Sequence, residues 1–145
     1  MYVDSAYIAK FYVNESDSAA VREQIGLAGV LVSSEWALAE VSCVLQRHLR
    51  EGSLKRSQVR ELMGAFEEHV EAGVWRLMPV TRSRLRRVAS IVRAAPRSLF
   101  LRAGDAVHLV SAIESGEREI WTNDRRLLAA AAHFGLSGRS VGTAG

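Results

Sequence analysis

The segment Glu119–Gly135, EIWTNDRRLLAAAAHFG, passes from an apolar run into a polar tripeptide ending in an acid, then into a leucine- and alanine-rich run. Its pattern predicts a short buried strand through Ile120 and Trp121, a turn at Thr122-Asn123-Asp124, and a helix from Arg125. Asp124 then has two open roles: a helix cap, or a carboxylate presented beyond the end of a strand. The N-terminus repeats the order. Met1–Val3 is a short apolar run ending in Asp4, and Ser5 opens the periodic stretch AYIAKFYV.

Between these ends the same alternation continues. NESDS breaks the chain before a second helix that ends near Gly26–Gly29, and VLVS, Val30–Ser33, reads as a buried strand. A third helix is expected over about Ser34–Arg50, and a fourth from Ser53 or Ser57 to Gly73. VWRLMPV is a strand. Thr81 caps an arginine-rich helix that Pro96 ends. Gly104-Asp105 opens the helix AVHLVSAI, with N-cap as the ordinary role open to Asp105, and Arg139–Gly142 is a weak candidate for a last strand. Short strands separated by helices predict an α/β fold, a twisted, mostly parallel sheet of about five strands flanked by helices, in one domain over residues 1–145.

With 145 residues, such a domain buries roughly 68% of the surface its unfolded chain exposes. Charged residues are 24% of the chain and hydrophobic ones 48%, which argues against disorder and fibrous classes. No apolar run approaches the ~18 residues of a membrane span, and Asp4 stands where a signal peptide would carry a basic and then apolar run. The expectation is a cytoplasmic protein with no membrane association. Cys43, the single cysteine, has no partner for a disulfide and is expected in the core. Thr81–Arg102 holds seven arginines and no acid, which suits either a polyanion or a solvated helix face. Arg82, Arg86 and Arg93 border an apolar stripe of Leu85, Val88, Ala89 and Val92 that is expected to face the core.

In open parallel sheets ligands bind beyond the carboxyl ends of the strands. Asp4 and Asp124 both follow strands, and the start of the Asp105 helix falls at the same edge. Glu40 lies beside the apolar arc of the third helix, in line with Arg47 as a possible partner. Each acid alone has an ordinary role as a cap or boundary residue. Gathered at one edge they would repel one another and raise each other's pKa values unless a cation compensated. Oxygen-only ligands select Mg²⁺ or Mn²⁺, which commonly share their coordination with substrate phosphates. That combination suggests metal-assisted phosphodiester hydrolysis.

YVDSAYIAKFYVNES, SSEWALAEVSCVLQR, RAGDAVHLVSAI and WTNDRRLLAAAAHFGL together resemble the PIN-domain ribonucleases, in particular the VapC-like toxins of bacterial toxin–antitoxin pairs, from Met1 to about Leu136. The resemblance implies that Asp4, Glu40, Asp105 and Asp124 are the catalytic, metal-binding set, that Ser5 and Thr122 steady it, and that Asn123 neighbours it. It also implies Mg²⁺- or Mn²⁺-dependent endonucleolytic cleavage of RNA, leaving a 5′-phosphate and a 3′-hydroxyl, a homodimer, and control by a VapB-like antitoxin. One ion and two ions both remain open. Arg125 and Arg126, nearest the acids, and Arg82 and Arg86 on the arginine-rich helix are candidate contacts to RNA phosphate, with solvated surface as the alternative. His108, one turn after Asp105, is set outside the predicted site, because a lone helical histidine more often serves the core.

Two rival functions share parts of this pattern. A strand ending in Asp4 also suits a haloacid-dehalogenase-like phosphatase, but Ala6 stands where that pattern needs a second Asp. The other is a catalytically silent PIN-like module that binds RNA or protein, against which the retention of all four acids argues.

Overall fold

The computed structural model describes residues 1–142, so the single domain expected over 1–145 reaches three residues past the described ones. Five strands, β1 (Tyr2–Val3), β2 (Leu31–Ser34), β3 (Trp75–Met78), β4 (Glu119–Trp121) and β5 (Ser137–Arg139), alternate with seven helices. These are α1 (Ser5–Tyr12), α2 (Ser18–Gly26), α3 (Trp36–Arg50), α4 (Arg56–Glu71), α5 (Arg82–Ala94), α6 (Ala103–Glu114) and α7 (Arg125–His133). Every strand pair is parallel, in the order β3-β2-β1-β4-β5. The chain therefore builds outward from β1 in one direction and, after β4, in the other. The reversal falls between β1 and β4, which is where a crevice opens in this class of sheet.

Side chains alternate across a strand, so even the two residues of β1 serve different layers. Val3 packs with Tyr7, Ile8, Val21, Val41, Leu45, Phe66 and Trp75 in one core cluster, under α1 to α4. Tyr2 packs with Val32, Leu109, Ile120, Leu127 and Ala131 in the other, under α6 and α7. Helix α6 is buried from Asp105 through Ala112, because the sheet lies on one side and α5 shields Val107 and Val110 on the other. A helix enclosed this way must be apolar all round, as AVHLVSAI nearly is.

Several local expectations are corrected. The last strand is Ser137–Arg139 rather than Arg139–Gly142; all three residues are exposed, and backbone pairing to β4 holds them. Gly138 packs closely there: a Cβ would stand 2.8 Å from Leu128 Cδ2, so that side chain would have to move. Asp105 is not the N-cap of α6: Arg102 holds that position, and Asp105 lies in the first turn. Arg47 does not pair with Glu40 but reaches Glu15 Oε1 at 3.1 Å. Cys43 is exposed, not in the core. The stripe on α5 divides: Val88 is buried while Leu85, Ala89 and Val92 face solvent, because α5 covers α6 from one side only. No helix among the described residues is long and apolar enough to cross a membrane.

Candidate active site

Asp4, Glu40, Asp105 and Asp124 line a single cavity of about 120 Å³, together with Ser5, Ala6, Arg102, His108 and Leu127. Four different elements deliver the acids. Asp4 follows β1 and caps α1, its Oδ1 accepting the Tyr7 N–H at 2.9 Å. Asp124 follows β4 and caps α7, its Oδ1 accepting the Arg126 and Leu127 N–H groups at 2.8 and 3.3 Å. Since β1 and β4 are neighbours in register, the two caps stand side by side, and the Asp4 N–H itself donates to Trp121 O at 3.2 Å. Capping thus orients both carboxylates. Asp105 comes from the first turn of α6, and Glu40 from the second turn of α3.

Hydrogen bonds tie the acids together. Thr122 donates its hydroxyl to Asp4 Oδ2 at 2.5 Å and accepts the Asp124 N–H at 3.0 Å, so one side chain joins two acids. Ser5 donates to Glu40 Oε1 at 3.0 Å. Asn123 turns away from the cavity: its amide donates to the Asp17 carboxylate and its oxygen accepts the Tyr7 hydroxyl at 2.9 Å. Tyr7 in turn accepts the Val141 N–H at 2.7 Å, which moors the chain beyond β5.

Two side chains that the sequence reading left out belong to the site. His108 is buried, with Nε2 2.8 Å from Glu40 Oε1 and 3.0 Å from Ser5 Oγ, and Nδ1 2.9 Å from the Tyr2 hydroxyl. Its spacing of one turn from Asp105 was the available signal; only packing shows that it reaches Glu40 on α3. Arg102 donates from Nε and Nη2 to Asp105 at 2.9 and 3.3 Å, and from Nη2 to Asp124 at 2.6 Å. The i, i+3 spacing to Asp105 was visible in the sequence, but the reach to Asp124 was not.

These settings separate the carboxyl groups electrostatically. Burial raises the Asp4 carboxyl above its usual range, and the donors Thr122 and Tyr7 with nearby His108 offset this only in part. Burial acts on Glu40 in the same sense, yet the bond and charge of His108, with Ser5 and Arg102, hold it below the usual range. Arg102 is pushed upward by its hydrogen bonds and charge interactions with Asp105 and Asp124. No group of three or more His, Cys, Asp or Glu side chains among the described residues is arranged to hold a metal ion as it stands. The donor chemistry nonetheless fits a hard cation, since four carboxylates face one small cavity.

The candidate arginines lie at different distances from this centre. Arg125 and Arg126 open α7 beside Asp124, both exposed, with the Arg126 guanidinium 4.2 Å above the Phe100 ring. Arg82 and Arg86 are not brought to the acids. They sit in the N-terminal half of α5, where the neighbouring Arg84 and Arg87 pair with Glu114 at the far end of α6, nine residues or about 14 Å along the axis from Asp105.

An all-parallel sheet whose order reverses beside an acidic cavity defines an α/β protein of the doubly wound class, with its site at the switch point. The chain belongs to the PIN domain family, whose model matches residues 1–133. Among solved structures it is similar to VapC20 of Mycobacterium tuberculosis, a sarcin–ricin-loop-cleaving toxin, at 14% identity and a TM-score of 0.71, over 89% of this chain and 93% of that one. FitAcB from Neisseria gonorrhoeae is also similar, at 14% identity and a TM-score of 0.58, over 94% of both chains. At this identity the two likenesses concern the fold. A comparison with curated proteins finds no significant match.

Proposed function

We propose that this protein is a Mg²⁺- or Mn²⁺-dependent endoribonuclease acting as the toxin of a toxin–antitoxin pair in the cytoplasm. The observation that carries the proposal is the convergence of Asp4, Glu40, Asp105 and Asp124 on one cavity at the switch point of a PIN-family sheet. The VapC20 likeness adds to it.

Asp4, Asp105 and Asp124 would hold the ion, with Glu40 as a direct ligand or one acting through water. The bound ion supplies a Lewis acid that acidifies a water and neutralises charge on the phosphodiester, the product ends being a 5′-phosphate and a 3′-hydroxyl. The remaining work falls to the chain. Thr122 keeps Asp4 and Asp124 at a constant separation, and His108 with Ser5 fixes the Glu40 carboxylate. Ser5 has its hydroxyl engaged by Glu40 and is a positioning residue, not a nucleophile. Arg125 and Arg126, exposed just after Asp124, would contact the RNA backbone. A VapB-like antitoxin and a second copy of the chain complete the proposed set of partners.

The test is cleavage of labelled structured RNA with Mn²⁺, using EDTA and Asp4→Asn as controls. Cleavage by the wild type that both controls abolish supports the proposal. Equal cleavage by wild type and variant would refute it, and RNA binding without cleavage would favour a silent binding module.

A further inference from the structure

Arg102 holds a position that the proposed chemistry reserves for another cation. Its guanidinium donates to both oxygens of Asp105 and to Asp124 Oδ2, bridging two of the four acids. The remaining oxygen of Asp124 already accepts the N–H groups at the start of α7. Asp4 and Glu40 are served by Thr122, Tyr7, Ser5 and His108. The charge compensation of the Asp105–Asp124 pair therefore comes from Arg102.

We propose that Arg102 is a built-in counter-ion that competes with the divalent ion for Asp105 and Asp124, and so sets how tightly the site takes Mg²⁺ or Mn²⁺. This rests on the reading of the four acids as a metal site. A planar guanidinium and a hard cation claim the same carboxylate oxygens, and both cannot hold them at once. The exchange needs only one side chain to rotate. The Arg102 side chain is 52% exposed, against 12% for Asp105 and 32% for Asp124, and it precedes α6 at the end of an irregular stretch from Pro96. The two acids are anchored in α6 and at the α7 cap. Released, Arg102 stays on the wall of an adjoining cleft of about 510 Å³ that it shares with Glu40, Asp105, Trp36 and Gly104.

An ion that binds only when Arg102 has swung away loses apparent affinity in proportion to the closed fraction. A contact made nine-tenths of the time weakens it about tenfold. Mn²⁺ binding, followed by calorimetry or by the paramagnetic signal of free Mn²⁺, tests this without reference to turnover. Arg102→Gln, which keeps a planar polar end on a shorter side chain but loses the charge, should bind Mn²⁺ about tenfold tighter than wild type. Arg102→Lys, which cannot make the fork, should fall between them. Without metal the Gln variant should melt lower than wild type, and Mn²⁺ should raise its Tm by more. A merely structural Arg102 would weaken Mn²⁺ binding when removed. Unchanged or weaker binding by both variants, with wild-type circular dichroism, would overturn the inference and leave the nuclease reading in place. Absence of Mn²⁺ binding by wild type and both variants would remove both.

Discussion

The acidic cavity and the arginine-rich helix α5 are two concentrations of like charge held in opposite ways. The acids come from positions as far apart as Asp4 and Asp124, two of them are nearly buried, and each carboxylate accepts from named donors. The arginines of α5 are neighbours in sequence, and Arg82, Arg86 and Arg93 simply face water. A solvated charge run on one helix costs little to keep and so says little about function. Acids converging from four elements, two of them buried, carry a desolvation cost. Their gathering at the switch point is the more informative of the two patterns.

The largest effect that would separate the regions lies in Asp124 and Asp105. Asp124→Asn and Asp105→Asn should each lower RNA cleavage at least about a hundredfold, in keeping with the several kcal/mol a positioned metal contributes. Asp124→Asn should change stability by under about 1 kcal/mol, since Asn caps a helix as well as Asp. Thermal melts beside single-turnover cleavage check this. A variant that unfolds readily yet cleaves normally would reduce Asp124 to a cap.

Next comes His108→Ala, which takes the His108 ring from the buried Tyr2 hydroxyl and leaves Glu40 with Ser5 but without the imidazole. It should cost about 1–3 kcal/mol in denaturant unfolding and lower cleavage as well. Normal cleavage at full stability would show that His108 does not position Glu40.

The third test uses pH. The Asp4 carboxyl is raised in the folded protein by burial, so its contribution to stability is complete below the unfolded pKa, about 4, and is lost as pH rises through the folded value. In EDTA, Asp4→Asn does not pass through that loss. Its Tm should gain on wild type as pH rises from about 4 toward neutrality, with cleavage abolished throughout. A Tm difference constant with pH would mean that the buried charge is fully compensated.

The smallest effect belongs to the arginines. Replacing Arg125 and Arg126 by Ala should reduce the salt dependence of RNA binding, each lost phosphate contact lowering the slope by about 0.7 for a single strand. Arg82→Ala with Arg86→Ala should change affinity less, because their neighbours Arg84 and Arg87 pair with Glu114 at the end of α6 away from the acids. A larger loss from the α5 pair would shift the RNA path onto that helix.

Much of the fold was legible in local pattern. Thr81 caps α5 as read, accepting the Arg84 N–H at 3.1 Å, and the turn after Trp121 leads into α7 as the opening segment implied. Asp105 lies inside the first turn rather than at the cap because α6 begins at Ala103, so two residues separate the cap Arg102 from the acid. The last strand escaped because Ser137-Gly138-Arg139 has no apolar alternation; only the partner strand specifies it. Glu40 stood out in the sequence as an acid at the edge of an apolar arc. Its partners did not, since Ser5 and His108 arrive from α1 and α6.

By itself the sequence determined the alternation of strands and helices, their caps, and the placement of Asp4 and Asp124 just past two strands. Those depend on residue periodicity and on contacts within a few positions, which a chain carries before it folds. The tertiary structure alone decided that β1 and β4 are neighbours, that His108 grips Glu40, and that Arg102 bridges Asp105 and Asp124. Such pairings join residues tens of positions apart, and their geometry exists only once the helices have packed on the sheet.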